Sequence, residues 1–401
     1  MQVPFSPPDI SELEVQYVCE VLRSGWITTG PKTKELERRL ADYYQKEKVA
    51  CLNSATAAME LSLRILGIGP GDEVITSAYT YTASASVIDH VGAKVVLVDC
   101  LPDSVLIDPE AVRKAINPRT KAVIPVDIAG IPADYEAINK VVFDTKEQFM
   151  PSNEIQKELG RVAIVADCAH SMGAIYLGKP VATYADFACF SFHAVKNYTT
   201  AEGGAAAFNT IGNYSSEEIY RQFMLLSLHG QTKDALAKTQ VGAWEYDIIY
   251  PAFKCNMTDI MAALGLAQLE RYPGLLARRK ELVKLYDDSL VHDRFETLVH
   301  QTDRYESSRH MYFVRINGAT GEQRNEIIRK MAENGVSANV HYKPLPMLTA
   351  YKNMGFTIEN YPNAFKRFEN MITLPLFSRM TDDQCKYVIE QLSKAVLEVM
   401  E

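Results

Sequence analysis

The chain lacks most of the features that mark specialised environments. Its seven cysteines among 401 residues (Cys19, Cys51, Cys100, Cys168, Cys189, Cys255 and Cys385) include no Cys-x-x-Cys pair, and their number is odd. This excludes a disulfide framework or zinc ribbon and reads as reduced core thiols of a cytoplasmic protein. The eight histidines show no His-Glu-x-x-His spacing, so no catalytic metal is expected. There is no block of Lys or Arg, and the net charge is −8; both argue against a nucleic-acid surface. No apolar run approaches the roughly 20 residues that cross a bilayer. The opening Met1-Gln2-Val3-Pro4-Phe5-Ser6-Pro7-Pro8 has neither the basic start nor the apolar core of a secretion signal. Internal repeats and low-complexity stretches are also missing.

What is present is a composition that is 47% hydrophobic and 23% charged, suited to a globular protein of two or more substructures. Short apolar runs alternate with helical patterns. Strands are expected at 49–52, 73–76, 94–99, 121–126 and 161–167, with helices at 57–66, 83–91 and 109–116. This rhythm predicts an α/β domain with a largely parallel sheet and ligands at the carboxyl ends of its strands. Residues 135–159 read as a helix plus a polar surface insertion. Residues 257–286 read as helix with a break or kink at Pro273-Gly274. A strand at 311–316 and helices at 321–334 and 382–399 make a second, smaller α/β unit.

The chemistry concentrates around one lysine. Phe187-Ala188-Cys189-Phe190-Ser191-Phe192 reads as a core strand, and Lys196 follows it in Ser191-Phe192-His193-Ala194-Val195-Lys196-Asn197, ahead of Glu202-Gly203-Gly204. A lysine delivered to the end of a core strand either snorkels to water or presents a desolvated amine that forms a Schiff base. Asp167 closes the strand before Cys168-Ala169-His170. It suits a helix cap or the partner of a protonated ring nitrogen. Asn53-Ser54-Ala55-Thr56-Ala57-Ala58 joins a strand to a helix, either as an ordinary cap or as a phosphate-holding turn to which Ser191 adds a hydroxyl. Tyr81 suits a core or rim position, or a ring-stacking one. Gly67-Ile68-Gly69-Pro70-Gly71 follows a helix and precedes a strand, the reverse of a dinucleotide-binding turn.

Together these segments resemble the pyridoxal-phosphate-dependent sugar-nucleotide aminotransferases of the DegT/DnrJ/EryC1/StrS family. The motifs are Gly25-Trp26-Ile27-Thr28-Thr29-Gly30-Pro31, the Asn53–Ala58 turn, Gly71-Asp72-Glu73-Val74-Ile75-Thr76, Pro118-Arg119-Thr120-Lys121-Ala122, Asp167-Cys168-Ala169-His170-Ser171, the lysine segment with Glu202-Gly203-Gly204, Asn256-Met257-Thr258-Asp259 and His341-Tyr342-Lys343-Pro344-Leu345. The resemblance implies the aspartate aminotransferase fold (fold type I). It implies an N-terminal segment, 1–25, packing with the small domain; a large cofactor domain, 26–264; and a small C-terminal domain, 265–401. The cofactor is pyridoxal 5'-phosphate, with Lys196 as the Schiff-base lysine and Asp167 at the ring nitrogen. Tyr81 stacks on the ring, His170 lies in the cofactor site, and Ala55, Thr56 and Ser191 hold the phosphate. Asn256 joins them from a partner subunit, which implies a homodimer with sites at its interface. Thr28, Thr29, His193 and His341 would meet the sugar nucleotide.

Relatives acting on 3-keto sugars tend to carry Gln where His170 stands and Phe-Phe-Pro-Ser-Lys-Pro around the lysine. This chain instead looks like the 4-keto-sugar branch. The implied reaction moves an amino group, usually from glutamate, to C4 of a nucleotide-linked sugar for bacterial surface polysaccharide or lipid. Three alternatives stand beside it: a 3-keto-sugar enzyme, a non-catalytic regulatory protein on the same scaffold, and an amino-acid transaminase. The regulatory protein would be expected to lack Lys196 or Asp167, and the transaminase to place an arginine for the substrate carboxylate.

Overall fold

The computed structural model describes residues 1–233, 245–291 and 293–401. Helix α1 (Glu12–Ser24) starts at Ser11, whose hydroxyl accepts the Leu13 N–H while the Glu14 carboxylate takes the Ser11 N–H. This reciprocal cap satisfies donors otherwise orphaned at a helix start. The helix stops at Gly25 with φ of 75°, left-handed backbone that glycine adopts without penalty. Then follow α2 (Pro31–Tyr44), β1 (Lys48–Leu52), α3 (Ala55–Ile65), β2 (Glu73–Ser77), α4 (Ala83–His90), β3 (Lys94–Val98), α5 (Pro109–Ala115) and β4 (Thr120–Ile124). Next are α6 (Tyr135–Asp144), α7 (Glu154–Leu159), β5 (Ala163–Asp167), β6 (Ile175–Tyr176), β7 (Lys179–Pro180), β8 (Phe187–Ser191), β9 (Gly204–Phe208) and α8 (Ser216–Ser227). The remainder comprises α9 (Asp259–Ser289), β10 (Phe295–Thr297), β11 (Tyr305–Glu306), β12 (Tyr312–Ile316), α10 (Gly321–Glu333), α11 (Thr349–Asn353), α12 (Pro362–Glu369), β13 (Met371–Leu374) and α13 (Asp382–Met400).

Seven strands make the central sheet in the order β1-β9-β8-β5-β4-β2-β3. All neighbours are parallel except β9, which runs antiparallel to β1 and β8. The expected parallel α/β sheet is therefore present, with one reversed strand that the sequence pattern did not announce. Gly204-Ala205-Ala206-Ala207-Phe208 has no β-branched residue, the usual mark of a strand. Its reversal brings its amino end to the edge where β1 and β8 finish, so Gly204 pairs with both Leu52 and Ser191. Leu61, Leu63, Val87 and Phe223 bury one face of the sheet. Leu40, Tyr44, Ile138 and Leu266 bury the other.

The C-terminal part is an antiparallel sheet, β10-β12-β13, carrying α10 and α13. Its core joins Leu282 and Tyr286 of α9 to Val314, Ile327 and Leu392. Val3 at the chain start hydrogen-bonds the backbone of Gly335 and Ser337, and Arg271 of α9 pairs with Asp9 and Glu14.

Of the break or kink expected at Pro273-Gly274, the break does not occur: α9 is one helix of 31 residues. Proline removes one backbone hydrogen bond, but buried side chains hold the helix on both sides of it. The Tyr272 hydroxyl donates to the Met172 carbonyl at 2.7 Å, and Arg279 donates to three backbone carbonyls. The polar stretch after Tyr135 forms α6 and α7, and α7 is tied down where Asn153 and Gln156 donate to the Leu66 carbonyl.

Candidate active site

A cleft of ≈ 390 Å³ opens at the edge of the sheet where β5 and β8 end. Four chain segments converge there. The β1–α3 turn contributes Ser54, Ala55 and Thr56; the residues after β2 contribute Thr80 and Tyr81; the end of β5 contributes Asp167 and His170; and the segment after β8 contributes Ser191, His193 and Lys196. His341 and Tyr342 complete the wall from the C-terminal part.

Asp167 is 5% exposed. Its carboxylate accepts from the Ser84 hydroxyl at 2.7 Å and from the Ala169 N–H at 3.1 Å, and no cation contacts it among the described residues. Burial raises its pKa above the usual carboxylate value; the two donors and the more distant Lys196 charge only partly offset this. A buried carboxylate in this state favours a cationic partner. The Lys196 amine, by contrast, is brought down to about 8 by burial, against the pull of Asp167. A sizeable fraction is thus unprotonated near neutrality, as a nucleophilic amine requires.

At the start of α3, Ser54 caps the helix by accepting the Ala57 N–H at 3.0 Å. The preceding N–H groups, of Ala55 and Thr56, have no intrahelical acceptor by virtue of their position. Such a helix start favours a phosphate. Its shape depends on Gly204, because a Cβ there would lie 2.3 Å from the Ala55 nitrogen and 2.3 Å from the Ser54 carbonyl carbon. Both are backbone atoms and cannot swing aside. Gly204→Ala is expected to cost about 1–3 kcal/mol of stability and to weaken phosphate retention, read from denaturant melts and from pyridoxal-phosphate titration.

The Tyr81 ring is 60% exposed and lies 5.9 Å from the Tyr342 ring. The Tyr342 hydroxyl meets His170 Nε2 at 3.2 Å. Burial, aided by the Lys196 charge, holds His170 well below the ordinary imidazole pKa, so the ring is neutral. His341 is brought down to about 4 by burial and then Lys196; its Nδ1 meets the Thr373 hydroxyl at 3.0 Å. His193 stands exposed at the rim, 3.6 Å from the Glu202 carboxylate.

The remaining predicted residues lie elsewhere. Thr28, Thr29 and Asn256 gather at the start of α9, outside the wall of the cleft. There Thr29 donates to the Met257 carbonyl, Asn256 donates to the Thr29 hydroxyl, and the Thr28 carbonyl accepts the Asp259 N–H. Asn256 also accepts from Lys254. No arginine lines the cleft among the described residues, so the signature expected of an amino-acid transaminase is not found there. Sequence reasoning gave no role to Ser84, Tyr342, Asn197 or His310, although Tyr342 and Asn197 stand within its motifs; each reaches the site through contacts between distant segments.

A buried carboxylate without a cationic partner, an amine whose pKa is lowered, free helix-start donors and an open aromatic face fit the ring nitrogen, carbonyl carbon, phosphate and ring of pyridoxal phosphate. Comparison with known proteins agrees. The profile of the DegT/DnrJ/EryC1/StrS aminotransferase family matches residues 8–393. The chain belongs to the DegT/DnrJ/EryC1/StrS aminotransferase family. The structure of Spr1654 from Streptococcus pneumoniae, assigned as a sugar aminotransferase and solved in its PMP form, is 55% identical, with a TM-score of 0.97 over 99% of this chain and 100% of that one. The PLP form of the same protein is 53% identical, with a TM-score of 0.96 and full coverage of both chains. Helicobacter pylori PseC, an aminotransferase of pseudoaminic acid biosynthesis, is 25% identical, with a TM-score of 0.85 over 99% of this chain and 100% of that one. Spore coat polysaccharide biosynthesis protein SpsC of Bacillus subtilis is 33% identical over 98% of this chain and 97% of its own length. The protein is therefore a fold type I sugar aminotransferase that uses pyridoxal phosphate. No helix among the described residues is long and apolar enough to cross a membrane.

Proposed function

We propose that this enzyme moves an amino group from glutamate to C4 of a nucleotide-linked 4-keto sugar, in the cytoplasm, for surface polysaccharide or lipid synthesis. The observation that carries the transamination chemistry is the convergence of Lys196, Asp167 and the α3 start on one cleft. His170 and the Ser191–Asn197 segment support the 4-keto branch, since 3-keto relatives tend to carry Gln and a Pro-Ser-Lys-Pro segment there. The names of PseC and SpsC support the destination.

Bound in the cleft, pyridoxal phosphate supplies an electron sink for the carbon that carries the transferred nitrogen. The protein supplies the rest. The Ala55 and Thr56 N–H groups with the Ser191 hydroxyl hold the phosphate dianion at the positive end of α3. Asp167, oriented by Ser84, keeps a proton on the ring nitrogen. Tyr81 covers one ring face and excludes water from it. The neutral Lys196 amine takes the proton from the donor Cα, and in the second half-reaction it delivers a proton to C4 of the sugar. His193 at the rim and His341 in the wall meet the sugar nucleotide, while Thr28 and Thr29, outside this cleft, would meet it only at a neighbouring subunit's cleft, as Asn256 would meet the phosphate.

In this reading Asn256 serves the phosphate of a neighbouring subunit, so the enzyme works as a homodimer. Exposed Ile248, Ile249 and Phe253 support a covered face of this kind. Light scattering is expected to return twice the 44.9 kDa chain mass; a monomer carrying full activity would refute the interface role. A panel of nucleotide-linked 4-keto and 3-keto sugars incubated with glutamate, read by mass, tests the substrate. Amination of a 4-keto sugar is expected; amination of only 3-keto sugars would overturn the branch and leave the enzyme class intact.

A further inference from the structure

Lys196 borders a second, smaller cavity of ≈ 60 Å³, walled also by Phe5, His310, His341 and Leu376. A water needs about 10–15 Å³ of such space and two to four polar partners. Three polar groups there stand outside the transamination scheme: Ser6 donates to the Val195 carbonyl, Tyr342 meets His170, and His310 is the third. It is 6% exposed, and its ring lies 4.5 Å from that of His170.

The residue that holds it is Asn197, directly after the lysine. Asn197 Nδ2 donates to the Ser308 carbonyl at 2.8 Å. A carbonyl only accepts, so the amide orientation is fixed and Oδ1 is the atom 3.0 Å from His310 Nδ1. An amide oxygen also only accepts, so Nδ1 carries the imidazole proton and Nε2 keeps its lone pair. The ring's hydrogen bond among the described residues is the one at Nδ1, which leaves Nε2 for the cavity. The loop is strapped on both sides: the His310 N–H donates to the Ala129 carbonyl, and Ser308 donates to the His170 carbonyl. Arg279 donates to the His310 carbonyl from below.

We propose that His310 is a positioning residue for the Lys196 amine: its Nε2 accepts a hydrogen bond, relayed by water in the small cavity, and Asn197 holds the ring in the tautomer that permits this. Lys196 is released in each half-reaction and becomes cationic when it takes up a proton. No described side chain or carbonyl accepts from it directly. A neutral acceptor gives the ammonium a defined resting place without removing its proton. The ring stays neutral because burial, then the neighbouring His170 ring and the Lys196 and Arg279 charges, oppose its protonation. The net proton count is unchanged, since His310 accepts a hydrogen bond and no proton.

This inference rests on the transaminase activity and not on the identity of the sugar, so its test uses only the donor half-reaction of the holoenzyme. The visible band of the bound cofactor is followed after mixing with an amino donor that the wild-type protein accepts. It is also titrated with pH in the absence of donor. His310→Leu is expected to slow the band change by about 10²-fold at saturating donor, to leave the half-saturating concentration close to wild type and to shift the titration midpoint. His310→Gln, which restores an acceptor, is expected to recover most of the rate. If His310→Leu does not fold, His310→Met offers similar volume without a strong acceptor. A folded Leu or Met variant with the wild-type rate and midpoint overturns the proposal. Equal loss in the Gln variant and the apolar one overturns it as well.

Discussion

Lys196→Ala is expected to lower turnover by at least about 10⁴-fold, the upper end of what one positioned acid–base group supplies, because the same residue also forms the covalent link to the cofactor. The loss should be chemical rather than structural. The side chain makes no hydrogen bond or ion pair to a described residue, so its removal strands no partner. It also removes an amine whose desolvation is costly enough to bring its pKa down to about 8. Folding stability should therefore hold or rise slightly. Cofactor affinity should survive in part, because the α3 start, Ser191 and Asp167 are untouched. The diagnostic pair of measurements is a bound visible chromophore together with failure of borohydride to fix it to the protein. Turnover near the wild-type rate in this variant would remove Lys196 from the mechanism and with it the reading of the cleft.

The sequence made this residue legible for a physical reason. A lysine at the end of a core strand and an Asp closing another core strand are costly placements, and cost is visible without coordinates. The β1–α3 turn was legible in the same way, from small hydroxyl residues at a strand-to-helix junction. What escaped was whatever depends on long-range pairing. Ser84 meets Asp167 across 83 positions of chain, and Tyr342 meets His170 across 172; no local pattern marks either pairing, even though Tyr342 stands in a family motif. β9 escaped because an alanine run gives no strand signal, although its pairing with β1 and β8 sets Gly204 against the phosphate turn. Pro273 shows the opposite limit. A strong local breaker predicts a break or kink, but no break follows, because Tyr272 and Arg279 anchor the helix through buried bonds on both sides.

Asp167→Asn is the second large effect, and it separates catalysis from stability in opposite directions. Asparagine keeps the shape and can still accept from Ser84, but it brings no negative charge to the ring nitrogen. The nitrogen then loses its proton and the ring its capacity as an electron sink, so turnover is expected to fall by about 10²–10⁴-fold. In the cofactor-free protein the sign reverses. Burial holds the Asp167 carboxyl above its ordinary value of 3.8, so the folded chain keeps a proton that the unfolded chain has already released. The folded state therefore binds more protons in that window, and stability falls as pH rises from 3.8 through the raised value. The contribution is present at low pH and lost above the folded pKa. Asn has no such titration, so the cofactor-free variant should gain on wild type in melting temperature as pH rises through the window toward neutrality. Pyridoxal phosphate reverses the comparison: the protonated ring pairs with Asp167 and stabilises wild type by linkage, while the variant gains less. Parallel melts with and without cofactor across that range check both signs. A variant that tracks wild type in the cofactor-free series would mean that the carboxylate is already paired, and the ring nitrogen would then have to find its partner elsewhere.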